Sequence, residues 1–408
     1  MDPASLAKLL APEGSALLAR LPPYAEEAVL RLSTELREGG ADPDLVAAAL
    51  TQSRLRARAA AKFGGLAADM LFTPAGLEQA TRLTVAARHA RRYADAGSSL
   101  VADLGCGLGG DAMALSTLGM PVLAVEADEA TAALAAVNLR RFPTATVRCA
   151  DALTLDLAAE GVDAVFADPA RRTRGGRRIF DPAAYSPPLD AVLAMRSVVP
   201  ALGMKVAPGI PYGALPADAH AQWVSVGGDV VEAGLWFGPL APEGPGRSAL
   251  VLADGAAHVL RESDDVLAGG QGAPRSPARA GTVRDVGAFL YEPDGAVIRS
   301  GLVARTAEDL GSGLVSPDIA YLTGDTLVPT PFATAYRVLD HFPFGLKRLR
   351  SYLRARDVGA LTIKKRGTAV EPEQLRRQLG LRGRVSATIV LTRLAGHQSV
   401  LVVEPVSG

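Results

Sequence analysis

Val101-Ala102-Asp103-Leu104-Gly105-Cys106-Gly107-Leu108-Gly109-Gly110-Asp111 is an apolar run that enters a glycine turn and then a helix. Glycines 105, 107 and 110 have the spacing of a dinucleotide-binding turn, since each lets backbone approach a ligand or a packed helix with no Cβ in the way. Outward from this turn, short apolar runs alternate with helical stretches: Leu100-Val101-Ala102, then Ala112 to Leu118, Val122 to Val125, and Ala130 to Leu139. That alternation predicts a doubly wound parallel sheet with right-handed crossovers. Glu126 lies 21 residues beyond Gly105, at the end of the next strand, where a carboxylate can accept both hydrogen bonds of a ribose diol.

A nicotinamide cofactor fits the pattern up to this point, and Asp103 argues against it. A carboxylate two residues before the first glycine repels a pyrophosphate but stabilises an ammonium through a charge-assisted hydrogen bond. The turn Asp103-Leu104-Gly105-Cys106-Gly107, with Glu126 after it, resembles the cofactor turn of class I S-adenosylmethionine-dependent methyltransferases. The resemblance implies a Rossmann-like α/β fold with Asp103, Gly105, Gly107 and Glu126 holding S-adenosylmethionine. Cys149-Ala150-Asp151-Ala152 resembles the acid after a strand that bonds the adenine amine, so Asp151 and Ala152 join the cofactor residues. Asp111 is open to two readings, a cofactor contact or a helix-starting carboxylate favoured by the macrodipole.

Asp163-Ala164-Val165-Phe166-Ala167-Asp168-Pro169 resembles the strand and tip that face the substrate. The tip Asp168-Pro169-Ala170-Arg171 is similar to the Asp/Asn-Pro-Pro-aromatic motif of amino-methylating enzymes, whose carboxylate accepts hydrogen bonds from an exocyclic amine. Methyl transfer uses an already activated cofactor, so positioning at about 3 Å supplies most of the catalysis and no protein nucleophile is required. Asp168 is the candidate orienting group and proton acceptor; a turn or cap role is the competing reading. Ala170 replaces the second proline and Arg171 the aromatic, and Arg171 can stack on a base or bind a phosphate. Arg172, Arg174, Arg177 and Arg178, interleaved with Gly175 and Gly176, form a basic loop suited to phosphate contact or simply to solvation. Cys106 and Cys149 both fall on the cofactor side, which disfavours cysteine-dependent methylation of pyrimidine carbon.

Upstream, Leu71-Phe72-Thr73-Pro74-Ala75-Gly76 and the helix after it resemble the lead-in segment of trimethylguanosine synthase-like enzymes, which adds Phe72 and Thr73 to the cofactor residues. Read alone, this is a helix start with Thr73 as cap and Pro74 in the first turn. Those enzymes carry a Pro-Pro-Trp tip that this chain lacks, so cap hypermethylation is not implied. Over nearly the whole chain, through Phe289 to Asp294, Ile319 to Leu322 and Leu361 to Gly367, the sequence resembles bacterial class I methyltransferases with a THUMP-like C-terminal domain. That family implies RNA, transfer or ribosomal, as the partner.

Charge supports the same direction. Lys plus Arg and Asp plus Glu each total 43, yet residues 331–408 hold 14 bases against five acids, leaving this segment at +9 and the remainder at −9. Lys347, Arg348, Arg350, Arg354 and Arg356 fall on helical faces, and Lys364, Lys365 and Arg366 end a short strand, a distribution that attracts phosphates or docks on the acidic remainder of the chain. The sequence divides into a helical N-terminal region (1–90), a methyltransferase domain (91–255), a connecting region (256–330) and a small basic α+β domain (331–408), with Gly, Pro, Ser and Arg clusters from 240 to 285 marking a loop-rich boundary between the second and third. Two cysteines, five scattered histidines, no basic leader and no long apolar run point to a cytoplasmic protein with no metal site and no membrane span. The competing functions are a small-molecule methyltransferase, a non-catalytic RNA-binding protein that retains the cofactor fold and, most weakly, a nicotinamide oxidoreductase.

Overall fold

The computed structural model describes residues 3–170, 184–262 and 284–406, and these divide into two compact units, Met1–Val206 with Leu235–Glu243, and Ala207–Gly234 with Gly244–Gly408.

The first unit opens with helices at Pro3–Leu10, Pro12–Arg20, Val29–Glu38 and Pro43–Phe63. The last of these starts where Asp42 accepts from the Asp44 and Leu45 amides at 2.9 and 2.8 Å, with Pro43 in the first turn, and it ends at Gly64 with φ +55°. Its buried stripe, Leu45, Val46, Ala49, Gln52, Leu55, Ala59 and Phe63, has the spacing of one helical face. Helix Leu83–Asp95 then presents Val85, Ala86, His89, Ala90 and Tyr93 inward.

Five strands follow: β1 (Val101–Leu104), β2 (Val122–Glu126), β3 (Ala145–Cys149), β4 (Ala164–Ala167) and β5 (Ala201–Val206). They are parallel in the order β3-β2-β1-β4-β5. Helices Gly110–Thr117 and Glu129–Leu139 connect β1 to β2 and β2 to β3. The order steps from β1 outward in both directions, so the carboxyl ends of β1 and β4 flank a switch point, where ligands bind in such sheets. β1 and β4 are buried throughout, which explains their continuous apolar sequence. At Leu235 the chain returns to this unit, and the Phe237 amide donates to the Leu202 carbonyl at 3.0 Å.

The second unit contains β6 (His220–Val226), β7 (Asp229–Trp236, whose last two residues fall in the first unit), β8 (Gly246–Ala253) and β9 (Ala256–Arg261). β8 and β9 form an antiparallel hairpin about Asp254 and Gly255, with φ of +51° and +75°. Part of the loop-rich stretch expected at 240–285 is therefore regular strand, and 263–283 lies outside the described residues.

A seven-stranded sheet holds the remaining strands: β10 (Phe289–Pro293), β11 (Gly313–Ser316), β12 (Ile319–Gly324), β13 (Ala333–Pro343), β14 (Val358–Lys365), β15 (Val385–Leu394) and β16 (His397–Pro405). Their order is β11-β12-β10-β13-β16-β15-β14. Three of these strands precede residue 331, so one sheet joins the expected connecting region to the C-terminal segment. The sheet curls far enough for the Ala395 amide, just past β15, to donate to Val315 of β11 at 3.1 Å. One of its two cores gathers Leu290, Val315, Tyr321, Tyr336, Val390 and Leu401. The other packs Ile389, Val400 and Val402 against helices Leu346–Arg354 and Pro372–Leu379 through Leu349, Leu353, Leu375 and Leu379.

Candidate active site

The site is built where β1, β2 and β4 end. Asp103, the third residue of β1, is 1% exposed. It accepts from the Ala112 amide, while its Oδ2 is buried with no partner. Burial pushes this carboxyl well above the usual range, and the carboxylates of Asp111, Asp168 and Glu126 push in the same direction. Gly105, Gly107 and Gly109 all adopt positive φ, at +78°, +56° and +86°. A Cβ at Gly105 would stand 2.8 Å from the Asp168 carbonyl oxygen, so the turn and the Asp168 tip lie close through backbone. A Cβ at Gly107 would meet open space, which leaves that side of the turn available to a ligand.

Glu126 closes the turn, its two oxygens accepting from the Gly107 and Asp128 amides at 3.1 and 3.0 Å. Each carboxylate oxygen retains acceptor capacity for a diol. Asp151 caps the short turn Ala152–Thr154 by accepting from Leu153 at 3.0 Å and stays exposed, whereas Ala152 is buried.

Other expected residues stand differently. Phe72 was expected to contact cofactor; its side chain is 0% exposed and packs on Phe63 with ring centroids 5.6 Å apart. Thr73 is a helix cap, accepting from Gly76 at 3.0 Å. The segment serves the turn through its backbone. Gln52 accepts from Phe72 N at 2.9 Å and donates to Phe72 O at 2.7 Å. Asn138 accepts from Leu71 N and donates to Leu71 O and, inside the glycine turn, to Leu108 O. Asp111 is likewise buried, with His89 Nδ1 2.8 Å from its Oδ1. Burial opposes its ionisation, yet His89, Lys205 and Thr81 together hold it below the ordinary range.

At the tip, Asp168 is partly exposed, Pro169 is buried, and exposed Ala170 pairs with Ser186 through two backbone bonds. Arg171, Arg172, Arg174, Arg177 and Arg178 lie outside the described residues. Asp168 Oδ2 accepts from Lys205 Nζ at 2.8 Å, and the same ammonium donates to Thr81 Oγ1 at 2.9 Å. The sequence reading missed Lys205, Thr81 and His89. A single lysine inside the apolar run Ala201–Val206 was the signal available, because lysine is almost never buried unless paired.

In the C-terminal sheet, Lys364 is bound to Glu292 and Lys365 to Glu371, while Arg366 lies over the Tyr321 ring. Burial opposes the Lys364 charge, but Glu292 and Tyr336 hold it protonated above the usual lysine range.

A glycine turn edged by four carboxylates suits a cofactor bearing a sulfonium and an ammonium, and the unpartnered oxygen of Asp103 lacks the donor such a cation provides. Fold and site together define a class I methyltransferase. Residues 102–170 match a methyltransferase domain family, 333–405 a THUMP domain-like family and 2–59 a domain family of unknown function. Uncharacterized S-adenosylmethionine-dependent methyltransferases from two strains of Mycobacterium tuberculosis, CDC 1551 / Oshkosh and H37Rv, are 35% identical over 366 residues, covering 86% of this chain and 95% of theirs. The chain belongs to this family of S-adenosylmethionine-dependent methyltransferases with a THUMP-like domain. The crystal structure of a candidate methyltransferase from Porphyromonas gingivalis W83 shares the fold, with a TM-score of 0.70 at 18% identity over 95% of this chain and 100% of that one. Among the described residues no helix is long and apolar enough to cross a membrane, and no cluster of three potential metal ligands occurs.

Proposed function

We propose that this methyltransferase acts in the cytoplasm on a base nitrogen of RNA, with Asp168 orienting the acceptor. The observation that carries the reading is the partly exposed Asp168 carboxylate, on a residue whose main-chain carbonyl lies against the Gly105 turn. Asp103, Gly105, Gly107, Glu126, Asp151 and Ala152 are the residues proposed to hold S-adenosylmethionine. When bound, the cofactor supplies a methyl group on a sulfonium, whose transfer forms an N–C bond, breaks the C–S bond and leaves a neutral thioether. Asp168 accepts the hydrogen bond that aims the nitrogen, and then the proton the nitrogen sheds.

RNA is supported by the THUMP-like match and by the surface of its two helices. Lys347, Arg377 and Arg382 are exposed and have no carboxylate partner among the described residues. Arg348 and Arg356 lie over the Phe342 and Tyr352 rings, while Arg350 and Arg354 donate to the Gln378 and Gly380 carbonyls, so their charges remain uncompensated. Such a face binds phosphates. The pairing of Lys364 and Lys365 shifts the proposed RNA contact from the 364–366 turn toward these helices. The test is transfer of labelled methyl into purified transfer and ribosomal RNA fractions and into a small-molecule extract. Incorporation into RNA that is lost in Asp168→Ala supports the reading, and incorporation confined to small molecules rejects it.

A further inference from the structure

Lys205 is the penultimate residue of β5 and is 3% exposed. Its ammonium is fixed from two sides, by Thr81 Oγ1 at 2.9 Å and by Asp168 Oδ2 at 2.8 Å. Thr81 also bonds Asp111, which holds His89 Nδ1 at 2.8 Å, so the anchor belongs to a continuous buried polar chain. At the open end, the Asp168 side chain keeps 24% exposure, and its Oδ1 makes no hydrogen bond among the described residues.

We propose that Lys205 is a positioning residue for methyl transfer: by occupying Oδ2 of Asp168 it leaves Oδ1 as the acceptor offered to substrate, and so restricts the methylated atom to a base nitrogen that carries hydrogen, exocyclic amine or ring N–H, rather than one that presents only a lone pair. The proposal rests on the RNA-base reading above. An ammonium in hydrogen-bond contact favours the ionised carboxylate, and an ionised carboxylate accepts without donating. A ring nitrogen that presents only a lone pair is repelled by Oδ1, whereas an amine N–H is attracted and its lone pair is turned toward the methyl group. The nitrogen gains the N–C bond as the C–S bond breaks, and its proton passes to Oδ1, since Lys205 is already protonated. Lys205→Met removes the ammonium that Oδ2 contacts, and loss of a neighbouring cation in general favours the protonated form of a carboxylate, which turns an acceptor into a donor.

The test uses the full chain as wild type, Lys205→Met, Lys205→Arg and Thr81→Val, with total cellular RNA as methyl acceptor and nucleoside mass spectrometry as readout. Wild type is expected to produce a nucleoside methylated on a base nitrogen that carries hydrogen before transfer, an exocyclic amine or a ring N–H. Lys205→Met should lower kcat about 100-fold at neutral pH and move the acid limb of its pH profile upward by about one unit. Affinity for S-adenosylhomocysteine and KM for RNA should stay within about threefold, because these report binding rather than orientation. Thr81→Val should move the same limb less, and Lys205→Arg should recover part of the loss. Methyl found on a ring nitrogen without hydrogen, on carbon or on oxygen overturns the proposal. So does a fall in kcat with an unmoved pH profile, which a merely structural lysine would give.

If Lys205→Met does not fold, Thr81→Val and Lys205→Arg carry the pH test. If wild type methylates no RNA, the RNA reading fails and urea unfolding decides the pairing. Lys205→Met should then raise the unfolding constant about 100-fold, with Asp168→Asn in that background restoring at least about tenfold. Additive effects overturn it.

Discussion

The strand ends of the first unit and the helical face of the C-terminal sheet carry opposite charge in opposite settings. At the strand ends, Asp103, Asp111 and Asp168 stand close enough to perturb one another, and two of the three are buried. On the helices Lys347 and Arg377, and just beyond them Arg382, are exposed to solvent. Buried charge is sensitive to a single neighbour because the local dielectric is low, whereas exposed charge acts collectively and is screened by salt. The first arrangement suits one cation held in a fixed place. The second suits a polyanion held at many points. Substitutions at the strand ends should therefore change chemistry and cofactor affinity steeply, and those on the helices should change RNA affinity gradually.

The largest effect is expected at Asp168. Asp168→Ala should lower methyl transfer about 10²- to 10⁴-fold with S-adenosylhomocysteine affinity retained, measured by label incorporation and calorimetry. Gly105→Ala comes next, because its φ of +78° and the 2.8 Å approach to the Asp168 carbonyl leave no room for a methyl group. Strain of about 1–3 kcal/mol should weaken cofactor binding about 10- to 100-fold in a calorimetric titration.

Asn138→Leu leaves the buried Leu71 and Leu108 groups unsatisfied and should destabilise the fold by about 2–3 kcal/mol in urea unfolding. Its effect on cofactor affinity would show how strongly the Leu71-Phe72 segment supports the turn. The smallest effects belong to the helical face. Lys347→Gln and Arg377→Gln should each reduce the salt slope of RNA binding by about one, read from affinities at several salt concentrations. Lys365→Gln should change the slope less than either, because its ammonium already pairs with Glu371 at 2.6 Å. A slope that falls as much in Lys365→Gln would erase the distinction between the helices and the turn.

The cofactor half was legible because its signals are local. Glycines at 105 and 107 are required by positive φ, and Asp103 and Glu126 lie at the carboxyl ends of adjacent parallel strands, Asp103 one residue from the end of its own. The strand-helix alternation likewise reads directly as a parallel sheet. What escaped the sequence depends on distant chain segments meeting. Lys205 and Asp168 are 37 residues apart and meet because β5 pairs with β4. Phe72 looked like a ligand contact because its motif was read for side chains, whereas Gln52 holds the Phe72 backbone and Asn138 that of Leu71. Lys364 looked free because Glu292, 72 residues away, reaches it only once the sheet has curled.

The central claim, that buried strand-end acids hold a cationic cofactor, is tested most directly by calorimetric titration of S-adenosylmethionine in two buffers of different ionisation enthalpy. Burial and the neighbouring Asp111, Asp168 and Glu126 carboxylates raise the pKa of Asp103 in the free protein. A bound ammonium would lower it again, so binding should release a proton and tighten as pH rises. The account predicts an apparent enthalpy that differs between the buffers for wild type and converges for Asp103→Asn, with weaker affinity. Identical enthalpies for wild type, or unchanged affinity in Asp103→Asn, would contradict it.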